Sequence, residues 1–217
     1  MAESDTQAQA ADLEGAASVT DVASAIPATP GIRLAKLAMV HILVVLLSLS
    51  AFAAADSWLT VSGLGIAALL GVVTGALAGI AVTNLVHEWF HFLGAVVAGG
   101  RYTVPDKFGL FVYDWDFEHN NIRQFNVMSV AGNLGGVLAI LYLWNAVPAE
   151  NLGRAALQGG AIASFVFGAF IEWPVLYRTR SSGRPFDELA KINGKVLGRS
   201  FVAALVAGLV VLVSLAP

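Results

Sequence analysis

The sequence contains no cysteine and few charged residues, and both shortages restrict what the protein can be. Without cysteine the chain forms no disulfide and offers no thiolate to zinc, so any metal must be held by His, Asp or Glu. Charged residues make up 12% of the 217 residues, against roughly 25% in soluble domains. The formal net charge is −3 and no soluble stretch carries a basic run, so nothing in the sequence indicates nucleic-acid binding.

Basic residues are also absent from the first 30 positions, where acidic residues lie among Ala, Ser, Thr and Gln. Such a segment buries too little apolar surface to offset the conformational entropy that it would lose on folding. It also lacks the basic start of a cleaved signal peptide. We therefore predict a disordered acidic tail over residues 1–31, followed by a transmembrane domain over residues 32–217.

Hydrophobic residues, 57% of the chain, form runs long enough to cross a bilayer, whose core needs about 20 apolar residues per helix. The five runs are 34–55, 61–98, 125–147, 155–177 and 201–216. We predict an all-α membrane protein with about five transmembrane helices. The second run would form a helix of roughly 57 Å, so it could tilt, break near its glycines at 71–79, or cross the membrane twice.

The distribution of lysine and arginine decides between these topologies. With one crossing of the second run, every one of the 12 basic residues except Arg154 faces the cytoplasm. With two crossings, the basic residues divide between the two sides of the membrane. Because cytoplasmic loops are enriched in Lys and Arg, we expect one crossing. The N-terminus then lies on the cytoplasmic side of a bacterial-type inner or plasma membrane.

The segment 101–118, between the second and third runs, has a different composition. Aromatic and branched residues are frequent in 110–117, and Pro105 and Gly109 supply turn signals. We expect a short β-hairpin or loop at the cytoplasmic surface.

The second run contains the sequence His-Glu-Trp-Phe-His at residues 87–91. His87 and His91 are four residues apart, so they lie on one helical face at a spacing that lets two imidazoles bind one cation. Glu88 is placed to act as a general base toward a metal-activated water. Ionisable residues within a span cost about 2.5–3.5 kcal/mol each on insertion scales and usually have a function. The motif predicts one Zn²⁺ per chain and hydrolytic chemistry.

A catalytic zinc usually has three protein ligands and one open position, so the histidine pair needs a third partner. Asp187 follows the fourth run on the predicted cytoplasmic side, and it also suits the N-cap of the next helix. Glu172 lies within the fourth run near Pro174, and proline kinks a helix. The acids and His119 of the hairpin segment are weaker alternatives. The residues by themselves leave the choice between Asp187 and Glu172 open.

These features resemble the site-2 protease family of intramembrane zinc metalloproteases. After His-Glu-x-x-His that family has Ala four residues later and Gly four beyond it, which Ala95 and Gly99 match. The family's next span opens with Ala-Gly-Pro-x-x-Asn, and this chain has Ala-Gly-Asn-Leu-Gly-Gly at 131–136. The stretch from Glu172 to Asp187 resembles the last element of the family, which ends in a zinc-binding Asp.

The resemblance covers about residues 79–197 and implies both a site and an activity. The zinc ligands that it implies are His87, His91 and Asp187. The catalytic base that it implies is Glu88. The expected protein is a protease that lies in the lipid bilayer and hydrolyses peptide bonds of transmembrane proteins or peptides near the cytoplasmic face.

Several positions depart from the family pattern. Asn133 replaces a proline, Gly136 replaces an asparagine, Glu188 replaces a glycine, Phe90 replaces a small residue, and Glu172 stands where asparagine would be expected. We assign Glu172 and Asn133 auxiliary places in the site.

The departures leave open a catalytically inactive scaffold that binds membrane helices. A metal transporter ranks third, because it would need ionisable residues on several spans. The sequence does not indicate an oligomeric state.

Overall fold

The computed structural model describes residues 29–106 and 109–216. Its elements in chain order are α1 (Pro30–Ser62), α2 (Gly65–Val97), β1 (Tyr102–Thr103), β2 (Asp114–Trp115), α3 (Ile122–Ala146), α4 (Leu152–Ser182), α5 (Pro185–Leu189) and α6 (Gly194–Leu215). All the helices except the short α5 are long and apolar enough to cross a membrane. The predicted all-α membrane fold with about five spans is therefore confirmed. Most of the predicted acidic tail, residues 1–28, lies outside the described residues.

The second apolar run folds as one unbroken helix. α2 continues from Gly65 to Val97, through the glycines at which a break was considered. The start of the run, at Val61, belongs instead to the end of α1. Gly63 ends α1 with φ 64°, a left-handed conformation that glycine adopts without steric cost. Of the three possibilities for this run, a break near the glycines is therefore excluded. The single crossing and the side of the membrane that each end faces stay predictions.

Small residues let α2 and α4 pack closely. Gly75 of α2 lies against the backbone of Gly153, and Gly79, one turn further along, lies against the backbone of Leu157. Positions further along α2 contact positions further along α4, so the two helices run parallel. Close backbone approach at small residues is a common way for helices to associate in membranes. This contact fixes the register between α2 and α4.

Replacing Gly79 by alanine is expected to lower the stability of the bundle. The added Cβ would collide with the carbonyl oxygen of Leu157 and lie 2.8 Å from the backbone nitrogen of Ala161. Overpacking of this kind costs about 1–3 kcal/mol. Thermal unfolding in detergent measures the change. Gly198→Ala in α6 is the matched control, because a Cβ there meets nothing within 4 Å. Equal melting temperatures for the two variants would contradict the close contact.

An ion-pair network ties α1 to the first turn of α4. The guanidinium of Arg154 donates to the carboxylate of Asp56 at 3.0 and 3.1 Å and to Glu150 at 2.6 Å. Asn151, the N-cap of α4, donates to Asp56 at 2.7 Å. A carboxylate within an apolar helix needs such partners, because an unpaired charge in a span is unfavourable. The network holds the end of the bundle that contains the α1–α2 turn.

The segment between α2 and α3 forms a short two-stranded sheet. Tyr102 pairs with Trp115 and Thr103 pairs with Asp114 in antiparallel register. The predicted hairpin is therefore present, and these four are the strand residues in the described part of the segment. Val112 is fully buried against α1 and α2, so packing rather than strand pairing fixes that part of the segment.

Part of this segment folds back along α1 and α2. His41 of α1 donates from Nε2 to the carbonyl oxygen of Gly109 at 2.9 Å. Its Nδ1 accepts a hydrogen bond from the indole nitrogen of Trp89 at 3.1 Å. An indole nitrogen only donates, which fixes the tautomer of His41. The histidine thus connects the hairpin segment to the helix that carries the His-Glu motif.

The short helix after the fourth span begins differently from our expectation. Its N-cap is Arg184, and Pro185 occupies the first helical position, where proline is favoured. Asp187 lies inside the first turn, so the prediction that it caps this helix is wrong. Glu188 beside it is buried, and its carboxylate accepts hydrogen bonds from Lys191 at 2.8 Å and from Arg178 at 2.9 Å.

These hydrogen bonds predict a pH-dependent stability. The bond from Lys191, with further bonds that include Arg178, lowers the pKa of Glu188 below its ordinary value. Ionised Glu188 therefore stabilises the folded state above the ordinary pKa of about 4.3, and this stabilisation is lost as the pH falls through the lowered pKa. We expect Glu188→Gln to have a lower melting temperature than the wild type at neutral pH. The difference between the two melting temperatures should narrow as the pH falls below about 4. A difference in melting temperature that does not change with pH would contradict this role of Glu188.

Candidate metal centre

α2 and α4 bring two imidazoles and one carboxylate to a single point. The Nε2 atoms of His87 and His91 lie 2.9 Å apart. Oε1 of Glu172 lies 2.8 Å from Nε2 of His87 and 3.1 Å from Nε2 of His91. Within residues 29–106 and 109–216, this is the one group of three or more such side chains whose ligand atoms lie within 4.8 Å of one another.

The orientation of His91 is fixed by α3. Its Nδ1 lies 2.9 Å from the carbonyl oxygen of Met128, which can only accept, so Nδ1 carries the hydrogen. In the neutral ring Nε2 is then left with a free lone pair that points toward His87 and Glu172. Hydrogen bonding of the second ring nitrogen is the usual way in which metal-binding histidines are oriented. Gly132 provides the space, because a Cβ at that position would overlap the His91 ring.

The register of α4 brings Glu172 to the histidines. Beyond the contact of Gly79 with Leu157, α2 and α4 continue side by side, and a Cβ added to Gly168 would lie 3.8 Å from Cε1 of His87. Glu172 follows one turn later on the same face of α4. The second carboxylate oxygen, Oε2, accepts a hydrogen bond of 2.7 Å from the side-chain amide of Asn133 on α3.

The donor set fits a divalent transition metal. Atoms bound to one zinc ion at about 2.0–2.1 Å with tetrahedral angles lie roughly 3.3 Å apart, a few tenths of an ångström from the observed separations. Three lone-pair-bearing atoms this close repel one another unless a proton or a cation lies between them. Two histidines and one glutamate are also the ligand types of several catalytic zinc sites. His87, His91 and Glu172 can therefore hold one metal ion.

Glu88 lies beside this group without belonging to it. Its partly buried carboxylate is close enough to His87, His91 and Glu172 for their charges to interact. Among the residues that the structure describes, it has no hydrogen-bonding partner. A carboxylate near a metal site and free of protein partners is available to a water molecule, as a general base must be.

Tyr113 of the hairpin segment also lies near the group, which our reading of the sequence missed. Its ring packs against Phe92 of α2, with centroids 5.9 Å apart. Burial raises the pKa of Tyr113 above its ordinary value, and the negative charges of Glu88 and Glu172 raise it further. The phenol stays neutral at physiological pH and can donate a hydrogen bond. The aromatic residues of the segment were visible in the sequence, but their composition did not indicate that Tyr113 lies beside the site.

Asp187, the third ligand implied by the family resemblance, lies outside the group. Its side chain is 55% exposed and its carboxylate lies 3.6 Å from the guanidinium of Arg184. The structure places Glu172, the other candidate, at the imidazoles instead. Of the weaker candidates in the hairpin segment, Asp116 and His119 form a pair with each other at 2.8 Å.

The glycines of α3 explain how the departures from the family pattern are accommodated. The ring of Phe90 fills the space in front of Gly135, where a Cβ would collide with it. A Cβ on Gly136 would lie 2.8 Å from the ring of Phe165 and 3.6 Å from Nδ1 of His87. The bulky residue in the motif and the glycine-rich stretch on α3 are therefore complementary in shape.

Comparison of the chain with protein-family models, with curated proteins and with solved structures gives no match.

Proposed function

We propose that this multi-pass membrane protein is an intramembrane zinc metalloprotease that resembles site-2 proteases. The zinc ligands in this proposal are His87, His91 and Glu172. Glu88 is the general base. The observation that carries the proposal is the convergence of two imidazole nitrogens and one carboxylate oxygen beside a second carboxylate, that of Glu88, which forms no hydrogen bond with the described residues.

The depth of the site supports a membrane-embedded substrate. His87 lies ten residues before the end of α2, and Glu172 lies ten residues before the end of α4. Because α2 and α4 are parallel and rise 1.5 Å per residue, both side chains lie about 15 Å from the same end of the bundle. This is the end at which the hairpin segment and α5 lie, and the charge distribution predicts that it faces the cytoplasm. Both helices are longer than the about 20 residues that cross a bilayer core, so part of this distance lies outside the membrane and the site is expected near the cytoplasmic face. The substrate in this proposal is a transmembrane protein or peptide that is cut near that face.

The position of each side chain in the site determines its role in the proposed hydrolysis. Zinc, when bound, supplies a Lewis acid that polarises a carbonyl group and lowers the pKa of water. Glu88 takes the proton of the attacking water and later gives it to the departing amine. His91 is held by Met128 throughout, so its ring keeps the same orientation during the reaction.

A second function, a scaffold that binds membrane helices without cleaving them, is favoured by one observation. His87 and His91 are 8% and 9% exposed, so a peptide reaches them only after neighbouring side chains move. A binding protein needs no such access. It would also need no general base, and the retention of Glu88 next to the histidine pair therefore favours the protease.

Cleavage of single-span peptides in liposomes tests the proposal. The purified chain is reconstituted with zinc and a set of fluorescent transmembrane peptides that carry helix-destabilising residues at different depths. We expect products, identified by mass spectrometry, that arise from bonds near one bilayer face and disappear when a metal chelator is added. Zinc-loaded protein that crosslinks to the peptides but yields no products would overturn the protease and support the scaffold.

A further inference from the structure

We propose that Asn133 and Trp173 are positioning residues that hold the Glu172 carboxylate as a ligand through one oxygen. The inference deepens the proposed function, because it concerns the same site and presupposes that a metal binds there. It assigns a specific role to an asparagine that interrupts the family pattern on α3 and to a tryptophan that the sequence did not single out.

The two oxygens of Glu172 have different partners. Oε1 faces the imidazoles, at 2.8 Å from His87 and 3.1 Å from His91. Oε2 accepts a hydrogen bond of 2.7 Å from Nδ2 of Asn133. Rotation of the carboxylate that brought both oxygens to a metal would break this bond. Asn133 therefore favours a carboxylate that offers one oxygen and leaves room in the site for a further ligand.

Asn133 is itself held in one orientation. Its Oδ1 accepts a hydrogen bond of 2.7 Å from the indole nitrogen of Trp173, and its Nδ2 donates a second bond of 3.0 Å to the carbonyl oxygen of Ser129. An indole nitrogen only donates, so Oδ1 must face Trp173 and Nδ2 must face Glu172. The network assigns the amide without ambiguity, and a flipped amide would lose all three bonds.

The contacts form a closed ring between α3 and α4. Glu172 and Trp173 are consecutive residues of α4, and each binds a different end of the same Asn133 side chain. Trp173 is 57% exposed, and its indole nitrogen nonetheless points toward Asn133. The ring makes the orientation of the ligand carboxylate depend on Trp173, which does not itself touch the histidines.

Metal affinity is the readout that tests this role. Loss of a hydrogen-bonding partner of a metal ligand lowers affinity by about 10–100-fold. We expect Asn133→Leu to weaken Zn²⁺ binding by that factor, and Trp173→Phe to weaken it less. Zn²⁺ competition against a chromogenic chelator in detergent gives the dissociation constants. The visible spectrum of the Co²⁺-loaded protein reports the coordination directly, and we expect it to change in Asn133→Leu.

A double-mutant cycle separates positioning from general destabilisation. If Trp173 acts only through Asn133, Trp173→Phe has no further effect on Zn²⁺ affinity when Asn133 is already Leu. Asn145→Leu on the same helix is the matched control, since the exposed Asn145 amide donates to the carbonyl of Leu141 and to no other described residue. Circular dichroism and size-exclusion chromatography verify folding. If Asn133→Leu fails to fold, Trp173→Phe alone still tests the inference through affinity and the Co²⁺ spectrum.

The outcomes distinguish this inference from the proposed function. Weakened binding in Asn133→Leu, an altered Co²⁺ spectrum and a non-additive double mutant support the positioning role. Wild-type affinity and spectrum in both single variants overturn it and leave the metal centre intact. A wild-type protein that binds neither Zn²⁺ nor Co²⁺ overturns the inference together with the proposed function.

Discussion

Replacement of Glu88 by glutamine is expected to leave the metal in place and to reduce peptide hydrolysis by about 10²–10⁴-fold, the usual contribution of a general base. The metal should stay because Glu88 is not one of the three converging side chains. Glutamine has the shape of glutamate, but its amide does not accept a proton at neutral pH. Bound zinc per chain and the initial rate of peptide cleavage in liposomes are measured on the same preparation.

Glu150→Gln is the matched control for this experiment. Glu150 lies at the opposite end of the bundle, where its exposed carboxylate pairs with Arg154. The same chemical change there should leave both zinc content and cleavage unchanged. Loss of zinc from Glu88→Gln would show that Glu88 is a ligand, and an unchanged cleavage rate would exclude it as the base.

Replacement of Gly132 by alanine is expected to weaken metal binding by at least the 10–100-fold that follows loss of a ligand's hydrogen-bonding partner. The new Cβ would occupy the space of the His91 ring, with Nδ1 only 2.5 Å away. The ring must move, so it loses the bond from Nδ1 to Met128 and turns Nε2 away from His87. Zn²⁺ titration against a chelator measures the change.

Gly135→Ala provides a control with a comparable steric defect. Its Cβ would collide with the ring of Phe90, one turn further along α3 and away from the imidazoles. Both variants should lose thermal stability in detergent, but only Gly132→Ala should lose metal affinity. If the two variants bind Zn²⁺ equally well, then Gly132 is not needed to leave room for the His91 ring.

The spans and the histidine pair could be predicted because both depend on local sequence. An apolar run of about 20 residues specifies a transmembrane helix without reference to the rest of the chain. The four-residue spacing of His87 and His91 places them on one face of any helix. Whether the long second run would break at its glycines could not be predicted, and the structure shows that these glycines pack α2 against α4 without breaking it.

The third ligand could not be predicted because it depends on how two helices are aligned. Asp187 and Glu172 were both candidates, and the family resemblance favoured Asp187. The contacts of Gly75 with Gly153 and of Gly79 with Leu157 set the register of α4 on α2. That register brings Glu172 level with the histidines, while Asp187 lies beyond the end of α4 on an exposed turn. A pattern of small residues shows that two helices approach closely, but it does not state which residues meet.

The hairpin segment shows a second limit of sequence reasoning. Its aromatic residues predict strands, and two antiparallel pairs do form. The remaining residues are fixed by distant contacts, such as the bond from His41 to Gly109 and the packing of Tyr113 on Phe92. Local propensity for strands is weak beside such packing. The position of Tyr113 near the three converging side chains therefore emerged only from the structure.

The central claim is that His87, His91 and Glu172 bind one metal ion, and its most direct test is bound metal per chain. Elemental mass spectrometry is applied to detergent-purified wild type, His91→Ala, Glu172→Ala and Asp187→Ala after zinc reconstitution and removal of excess ion. We predict about one zinc per chain in the wild type and in Asp187→Ala, and loss of zinc in His91→Ala and Glu172→Ala. Zinc retained by Glu172→Ala but lost from Asp187→Ala would contradict this assignment and restore Asp187 as the third ligand.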